Sequence, residues 1–256
     1  MAIVTLLTDS GESDHYIAAI KARILAVDPD ARIVDISHQI RLFDIGHAAF
    51  VIRSVFRSFP KGTVHLVGVD ATGSKGEQFL IVQLEGHFFV GVNNGLFSLL
   101  SDHLPDKIWE LPPPNEEHST FPEKDIFAAV AARLARGEDP AGIGKPITEI
   151  KRLVDRQIKA TKKQITGNII RVDHFGNLIT NIPKQVFDLL SKDKTYTIQF
   201  GGEKFRRIHA GYNQAEQGEC FIVFNSLNVL EIGIYKGNAS ELLGLGYDSV
   251  VNIIFE

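Results

Sequence analysis

The first 70 residues alternate strand-like and helix-like patterns, and this alternation limits the fold more than any other feature of the sequence. Apolar runs rich in β-branched residues predict strands over 3–8, 31–37 and 62–70. Between them, apolar residues at helical spacing predict helices over 14–27 and 46–59. Because strands that alternate with helices usually pair side by side in the same direction, we expect an α/β domain with a mostly parallel sheet.

The remainder of the chain changes from α/β to β-rich. Apolar runs on either side of Gly86 predict a hairpin attached to the sheet. A basic segment over 145–166 lacks the interleaved aromatic side chains that nucleic-acid stacking requires, so we interpret it as solvated. From Gly167 onward, short β-rich runs separated by glycine and asparagine predict antiparallel strands. The expected organisation is an α/β domain over 1–150, a linker over 151–166 and a smaller all-β, barrel-like domain over 167–256.

Charge and cysteine content narrow the classes of partner. A formal net charge of −4 and an isoelectric point near 6.1 create no field that would gather nucleic acid or an anionic membrane, so a small neutral or zwitterionic partner fits better. Cys220 is the only cysteine, which excludes an intrachain disulfide, and no Cys/His cluster has the spacing of a zinc site. Because the sequence lacks a basic leader and a long apolar run, we expect a cytoplasmic protein. We also expect that the protein uses no metal or cofactor.

Three acidic residues follow predicted strands of the α/β domain. Asp9 ends the first strand, Asp14 lies shortly after it, and Asp70 ends the third. Loops at the carboxyl ends of parallel strands are where open α/β sheets bind ligands. Carboxylates there can accept hydrogen bonds from a ribose diol or orient a water molecule. Aspartate is also a common helix cap and turn former, and the spacing alone leaves both interpretations open.

The β domain contains two polar segments of interest. In the first, Asp173, Phe175 and Asn177 fall within one tight turn, where an amide can bind an adenine edge and a ring can cover its face. In the second, 224–232 and 237–240 place polar side chains in apolar strands, where such groups need partners. A ligand can supply those partners, and so can well-formed turns.

Seven segments, in order along almost the whole chain, resemble the S-adenosylmethionine hydroxide adenosyltransferase family, which also contains fluorinase and chlorinase type enzymes. The segments are TDSGESDHY (8–16), VDISHQIRLFDIGHAA (34–49), FPKGTVHLVGVD (59–70), NNGL (93–96), TFPEKDIFAAVAARLARG (120–137), VDHFGNLITNI (172–182) and NSLNVLEI (225–232). The resemblance implies an α/β N-terminal domain, a β-barrel-like C-terminal domain and a homotrimer. S-adenosylmethionine would bind between the N-terminal domain of one subunit and the C-terminal domain of the next. Water or halide would then attack the 5′-carbon of the ribose and expel methionine.

On the α/β side, the resemblance implies specific roles for several residues. Asp9 matches the carboxylate that holds the ribose hydroxyls, and Asp14 is a second acidic position nearby. Phe43 matches an aromatic position beside the ligand. Asp70 matches one of the groups that hold and activate water, and it is the expected catalytic residue. Thr72 lies in a short Ala-Thr-Gly turn similar to the one that helps to hold halide in the halogenases.

On the β side, the resemblance implies contacts to the two ends of the ligand. Asp173 matches the carboxylate that meets the methionine ammonium, and Ser226 matches a polar contact to the methionine end. Phe175 and Asn177 match the adenine-side turn. Tyr212 is a further candidate for an aromatic wall.

The sequence departs from the family where water is activated. The family uses an arginine that falls here on Gly76 or Glu77, with Lys75 as the nearest cation, and an ammonium does not reproduce a planar guanidinium fork. The family histidine falls on Pro122, which has no titratable group, and His118 lies four residues earlier. We therefore expect a degraded water-activating site.

Halide chemistry is not favoured either. Glu123 stands where the fluorinase type has a serine hydroxyl, and a carboxylate beside a bound anion is repulsive by about 4 kcal/mol at 4 Å with an effective dielectric of 20. Asn93 replaces the usual aspartate of another turn, which removes a charge but keeps the shape. Three functions remain: slow hydrolysis of S-adenosylmethionine to adenosine and methionine, binding of S-adenosylmethionine or adenosine without turnover, or a trimer that serves only as a scaffold with its pocket closed by bulkier side chains.

Overall fold

A computed structural model describes residues 2–72, 78–112 and 119–256. The chain divides into two compact units, Met1–Val154 and Asp155–Glu256. The division falls inside the segment expected as a linker, over 151–166, but that segment also contains a short strand and the first residues of a long one. No helix within the described part of the chain is both long and apolar enough to cross a membrane.

The first unit contains seven strands and three α-helices in its described residues. The strands are β1 (Ile3–Thr8), β2 (Arg32–Ser37), β3 (Val64–Gly68), β4 (Phe79–Leu84), β5 (His87–Val92), β6 (Lys107–Glu110) and β7 (Lys145–Ile147). The helices are α1 (Tyr16–Val27), α2 (Ile45–Val55) and α3 (Ala128–Ala135). A π-helical turn over Glu123–Phe127 leads directly into α3.

These seven strands form one sheet in the order β2-β1-β3-β5-β4-β6-β7. The first four are parallel, whereas β4 pairs antiparallel with β5 and β6, and β6 antiparallel with β7. The sheet is therefore mixed, and the expected predominance of parallel pairing is not confirmed. The physical reason is the tight turn at Glu85 and Gly86, both with positive φ, since a two-residue hairpin can only join antiparallel strands.

Helices cover both faces of this sheet. On one face, α1, α3 and the π-helical turn bury alternate residues of the central strands, including Val64 and Leu66. On the other face, α2 packs against the intervening residues, including Val67 and Phe89. The sheet is consequently buried on both sides, as expected for strands that are almost continuously apolar.

The second unit is built mainly from antiparallel strands. Its strands are β8 (Lys159–Ala160), β9 (Gln164–Val172), β10 (Leu178–Pro183), β11 (Tyr196–Phe200), β12 (Glu203–Phe205), β13 (Cys220–Phe224), β14 (Val229–Ile234) and β15 (Val250–Phe255). They run in the order β12-β11-β15-β9-β10-β14-β13, with β8 beside β9, and every pair is antiparallel.

This unit is not all-β, in contrast to the sequence prediction. Two short helices, α4 (Lys184–Ser191) and α5 (Ala239–Leu243), interrupt the strands. The first begins after Pro183 and buries Phe187, with Val186 and Leu190 partly buried beside it, whereas Leu189 on the other face is exposed. Short helices of this kind depend on packing against a sheet, so their sequence signal is weak.

Candidate functional site

The first candidate cluster lies where the strand order of the first unit reverses. The chain passes from β1 to β2 on one side and then returns to place β3 on the other side of β1. Asp9 follows β1, and Asp70 lies two residues after β3. Ligands of open α/β sheets bind at this kind of switch point, outside the carboxyl ends of the strands. The fold therefore brings the two aspartates to the edge where a ligand is expected.

Asp9 organises this edge through its backbone and its carboxylate. Its N–H donates to the Gly68 carbonyl at 3.3 Å. Its Oδ2 accepts the backbone N–H of Phe43 at 2.9 Å and that of Asp70 at 3.3 Å. Phe43 and Asp70 both have positive φ, 60° and 49°, which is unfavourable for residues other than glycine. Strained backbone held by a buried framework is common at ligand sites.

The other predicted residues of the first unit lie near the chain positions of this cluster but are more exposed. Phe43 is 68% exposed, so its ring is available for a ligand. Thr72 is exposed at the end of a described segment. Asp14 is exposed in the loop before α1, and its described hydrogen bond is to the Ser13 hydroxyl at 3.5 Å. The structure thus joins Asp9, Phe43 and Asp70 by hydrogen bonds, whereas none of the described hydrogen bonds links Asp14 or Thr72 to them.

Further polar side chains support this edge, and of these sequence reasoning named only Asn93. His38 is buried, and its Nδ1 lies 2.9 Å from the Thr8 hydroxyl, at the end of β1. Asn94 donates to the carbonyl of Val69 at 3.1 Å and so fixes the backbone just before Asp70. Asn93, which departs from the family aspartate, accepts the Lys151 N–H at 2.8 Å. These groups hold the loops in place through hydrogen bonds to the backbone and to the end of β1.

Glu123 lies in the same region, at the first position of the π-helical turn. It is buried, with 7% of its surface exposed. Burial, and after it the charge of Asp9, raises the pKa of Glu123 above its ordinary value of 4.5. Pro122, where the resemblance implied a histidine, is also buried and precedes this turn. Lys75, Gly76, Glu77 and His118, on which the remaining predictions about water activation depend, lie outside the described residues.

The second candidate cluster is the turn between β9 and β10. The carboxylate of Asp173 closes this turn, with Oδ1 accepting the N–H groups of Phe175 and Asn177 at 2.9 and 2.8 Å. Its Oδ2 accepts the Asn177 side-chain amide at 3.1 Å. Phe175 is left 74% exposed at the tip. The three predicted residues are therefore neighbours, with the carboxylate fixing the backbone and the ring facing outward.

Gly176 allows a second segment to approach this turn. It has a φ of 83°, and a Cβ at this position would lie 2.0 Å from the Asn238 Oδ1. The Gly176 carbonyl accepts the Ser240 N–H at 2.9 Å. The 237–240 segment selected from the sequence thus packs directly on the Asp173 turn, because Gly176 has no Cβ that would block its approach.

Glu231 is a buried acid near this turn that belongs to the 224–232 segment selected from the sequence, without a role assigned to it there. It is 3% exposed on β14, and its Oε2 accepts the Asn225 amide at 2.8 Å. Burial, together with the nearby charge of Asp173, raises the pKa of Glu231, and burial raises the pKa of the neighbouring Tyr212. Ser226 is exposed in the adjoining turn. The single glutamate inside the apolar run VLEIGI marks this position in the sequence, whereas its burial and its partners appear only in the structure.

The chemical character of the two clusters is that of a site for a polar organic ligand. Within residues 2–72, 78–112 and 119–256, no group of three histidine, cysteine, aspartate or glutamate side chains is arranged to hold a metal ion. The clusters offer carboxylates, amides and exposed aromatic rings instead. Carboxylates accept hydrogen bonds from hydroxyl and ammonium groups, and amides both donate and accept.

Sequence comparisons match both halves of the chain to one family. Residues 4–144 match the SAM hydroxide adenosyltransferase N-terminal domain, and residues 167–252 match the C-terminal domain. A Methanocaldococcus jannaschii protein named (R)-S-adenosyl-L-methionine hydrolase is 34% identical over 267 residues, covering 99% of this chain and 96% of that protein. A Thermus thermophilus protein of the same name is 29% identical over 258 residues, covering 96% of each.

A structural comparison agrees over the full length. The crystal structure of an uncharacterized conserved protein from Thermotoga maritima has a TM-score of 0.87 and 28% sequence identity, covering 98% of this chain and 100% of that one. Both family domains are matched, in order and over most of the chain. The chain therefore belongs to the SAM hydroxide adenosyltransferase family.

Proposed function

We propose that this protein binds S-adenosylmethionine and hydrolyses it to adenosine and L-methionine, by attack of water on the 5′-carbon of the ribose. The observation that carries the proposal is the carboxylate of Asp9 at the strand switch point, hydrogen-bonded to the backbone of Phe43 and Asp70. Both hydrogen bonds end on Oδ2, so Oδ1 can accept from a ribose hydroxyl. The names of the two hydrolases that resemble this chain over nearly its whole length support the same reaction.

The reaction places modest demands on the protein. The sulfonium leaves as neutral methionine, so the leaving group needs no proton. Orientation of water and exclusion of solvent can then supply much of the rate. Asp70, beside Asp9, is the residue proposed to orient the water. The Asp173 turn is proposed to bind the adenine through Phe175 and Asn177, with Asp173 and Ser226 toward the methionine end.

A second candidate function is binding of S-adenosylmethionine or adenosine without turnover. The observation that favours it is Pro122, buried at the position of the family histidine, where no proton can be exchanged. Under this alternative the ligand-binding groups are retained and the water-activating ones are lost.

Product analysis distinguishes the two functions. The full-length protein is incubated with S-adenosylmethionine, adenosine and methionine are quantified by chromatography, and binding of adenosine is measured by calorimetry. Hydrolysis predicts equal amounts of both products above the uncatalysed background, whereas simple binding predicts recovery of intact ligand with a measurable heat. If neither products nor a heat of binding is detected, both functions are refuted.

Two variants separate binding from chemistry. Asn177→Ala should weaken adenosine binding about tenfold or more, since it leaves an adenine edge unpaired. His174→Ala, exposed in the same turn, is the control and should not. Asp70→Asn should lower turnover while leaving adenosine affinity nearly unchanged. Equal effects of all three substitutions on binding would contradict the assignment.

The assembly belongs to the same proposal. We infer a cytoplasmic homotrimer in which each ligand is bound at a boundary between subunits, because the family resemblance implies that arrangement. Light scattering coupled to size-exclusion chromatography measures the mass directly. A monomeric mass at micromolar concentration, with undiminished binding of adenosine, would refute the trimer.

A further inference from the structure

The residues at the end of β3 point to a further role within the hydrolysis proposed above, on which this inference rests. We infer that Glu123 is the group that accepts the proton of the attacking water. A buried acid is unexpected in this position, because the charge of Asp9 acts on it.

Glu123 lies over the end of β3 because residue 68 has no side chain. A Cβ on Gly68 would lie 2.7 Å from the Glu123 Cγ and 3.3 Å from its Oε1. The same point is 3.3 Å from the Cγ2 of Thr8, the last residue of β1. The carboxyl of Glu123 is therefore placed at the ends of β1 and β3. Asp9 directly follows the first of these strands, and Asp70 follows the second.

The backbone that carries Glu123 is irregular at this point. Pro122 precedes the π-helical turn, and Glu123 is the first residue of the turn. A π-helical turn inside or beside an α-helix is a common feature of functional sites, since it re-aims side chains that a regular helix would direct elsewhere. Here it directs an acidic side chain toward the sheet, while the next two residues, Lys124 and Asp125, pair with each other at 2.9 Å.

The environment makes Glu123 a better proton acceptor than an exposed carboxylate. Burial and the negative charge of Asp9 raise its pKa. A general base is most effective when its pKa lies near the operating pH, because it is then both available and basic enough. Asp9 is a poorer candidate for this task, because its Oδ2 already accepts two backbone N–H groups and is not available to a water proton.

Asp9 is the charged group whose field acts on Glu123. The other titratable groups on the elements that pack against the π-helical turn have described partners. On α1, Tyr16 packs edge-on against Phe121, Lys21 pairs with Asp35, and Arg23 acts on Asp125 at the exposed side of the turn. Arg133 of α3 binds Glu138, and His65 of β3 and His87 of β5 contact Phe56 on the opposite face of the sheet. A pH dependence of the reaction that disappears with Glu123 is therefore attributable to this carboxyl.

The step balances without any further reactant. The water oxygen forms a bond to the ribose 5′-carbon as the carbon–sulfur bond breaks, and the electron pair of that bond passes to sulfur. The sulfonium becomes the neutral thioether of methionine. The proton of the water passes to the Glu123 carboxylate and from there to solvent. Asp9 would hold the ribose and Asp70 would orient the water, so each acid has a separate task.

The test compares Glu123→Gln with Asp125→Asn, which makes the same chemical change at an exposed position of the same turn. In the full-length protein, Glu123→Gln should lower kcat by about 10²–10⁴-fold, the usual contribution of a general base. Adenosine affinity should change by less than about threefold, and the rise of kcat with pH should disappear. Asp125→Asn should leave kcat and its pH profile within about twofold of the original.

A conservative variant guards against a purely structural effect. Glu123→Asp keeps a proton acceptor and should retain more turnover than Glu123→Gln, with a shifted pH midpoint. Equal activity of these two variants, or an unchanged kcat and pH profile in Glu123→Gln, would overturn the role of Glu123 while leaving the hydrolysis intact. Absence of adenosine release by the unsubstituted protein would instead refute the hydrolysis itself, and the inference with it.

Discussion

The contact between Gly68 and Glu123 makes a quantitative prediction about stability. In Gly68→Ala, the new methyl group would meet the Glu123 Cγ at 2.7 Å, and Thr8 at 3.3 Å leaves little room for it to move away. Overpacking of this kind costs about 1–3 kcal/mol. Replacing a strand glycine by alanine returns about 0.5–1 kcal/mol of backbone entropy. We therefore expect Gly68→Ala to lower the free energy of unfolding by about 1–2 kcal/mol.

The same substitution should behave differently once the glutamate side chain is shortened. In a Glu123→Ala background the Cγ is gone, so Gly68→Ala should be neutral or stabilising by about 0.5 kcal/mol. The double-mutant cycle should then show a coupling of about 1–2 kcal/mol, well above the roughly 0.5 kcal/mol within which independent sites add. Urea unfolding of all four proteins at one protein concentration measures it.

Gly91→Ala provides the control for this cycle. A Cβ there would lie 2.7 Å from the backbone carbonyl of Val67, which Glu123→Ala cannot relieve. Its cost should be the same in both backgrounds. If Gly68→Ala is equally costly with and without the Glu123 side chain, the carboxyl does not lie over β3, and the reasoning that places it at the ligand edge fails.

Three further predictions concern pH and the adenine-side turn. Burial, followed by the charge of His87, lowers the pKa of His65 from 6.5 to about 3. The folded protein should therefore lose stability as the pH falls from 6.5 toward 3. Urea unfolding over that pH range should show a smaller loss in His65→Gln. The pKa of Glu123 is raised, so the unsubstituted protein should lose stability relative to Glu123→Gln as the pH rises above 4.5, and parallel curves would contradict the raised pKa. Gly176→Ala combines a positive φ with a clash against Asn238 and should cost about 1–3 kcal/mol or more and weaken adenosine binding, whereas unaltered melting and affinity would show that the turn tolerates a side chain.

Part of the fold follows from local patterns, and part does not. The predicted strands over 3–8, 31–37 and 62–70 overlap β1, β2 and β3, since β-branched apolar runs between helical patterns have few alternatives in an α/β domain. The same patterns did not indicate how much of the sheet is antiparallel. The hairpin of β4 and β5 around Gly86 was predicted, but β6 and the late strand β7, which extend the antiparallel part from distant points of the chain, were not.

The candidate site, too, could be predicted only in part from the sequence. The proximity of Asp9 and Asp70 could be expected from the switch-point rule, because both follow neighbouring parallel strands. Asn177 lies beside Asp173 because they share one turn. The burial of Glu231 could not be inferred in the same way, since it depends on cross-strand pairing with Val223 and on Tyr212 from a separate loop. Long-range packing decides the environment of an acid, and composition alone does not report it.

Gly68 and Glu123 show why a departure from local rules can itself be informative. A glycine in a strand gives up backbone entropy, and a buried carboxyl beside another carboxylate gives up solvation. Neither residue improves the core, since Val64, Leu66 and Phe127 already fill the adjacent layer. The two unfavourable choices nevertheless meet at one point, at the edge where Asp9 and Asp70 converge. Natural sequences usually break local rules where function requires it, so the coincidence points to chemistry at this edge rather than to packing. Glu123 also supplies a titratable group directly after Pro122, the position at which the family resemblance implies a histidine.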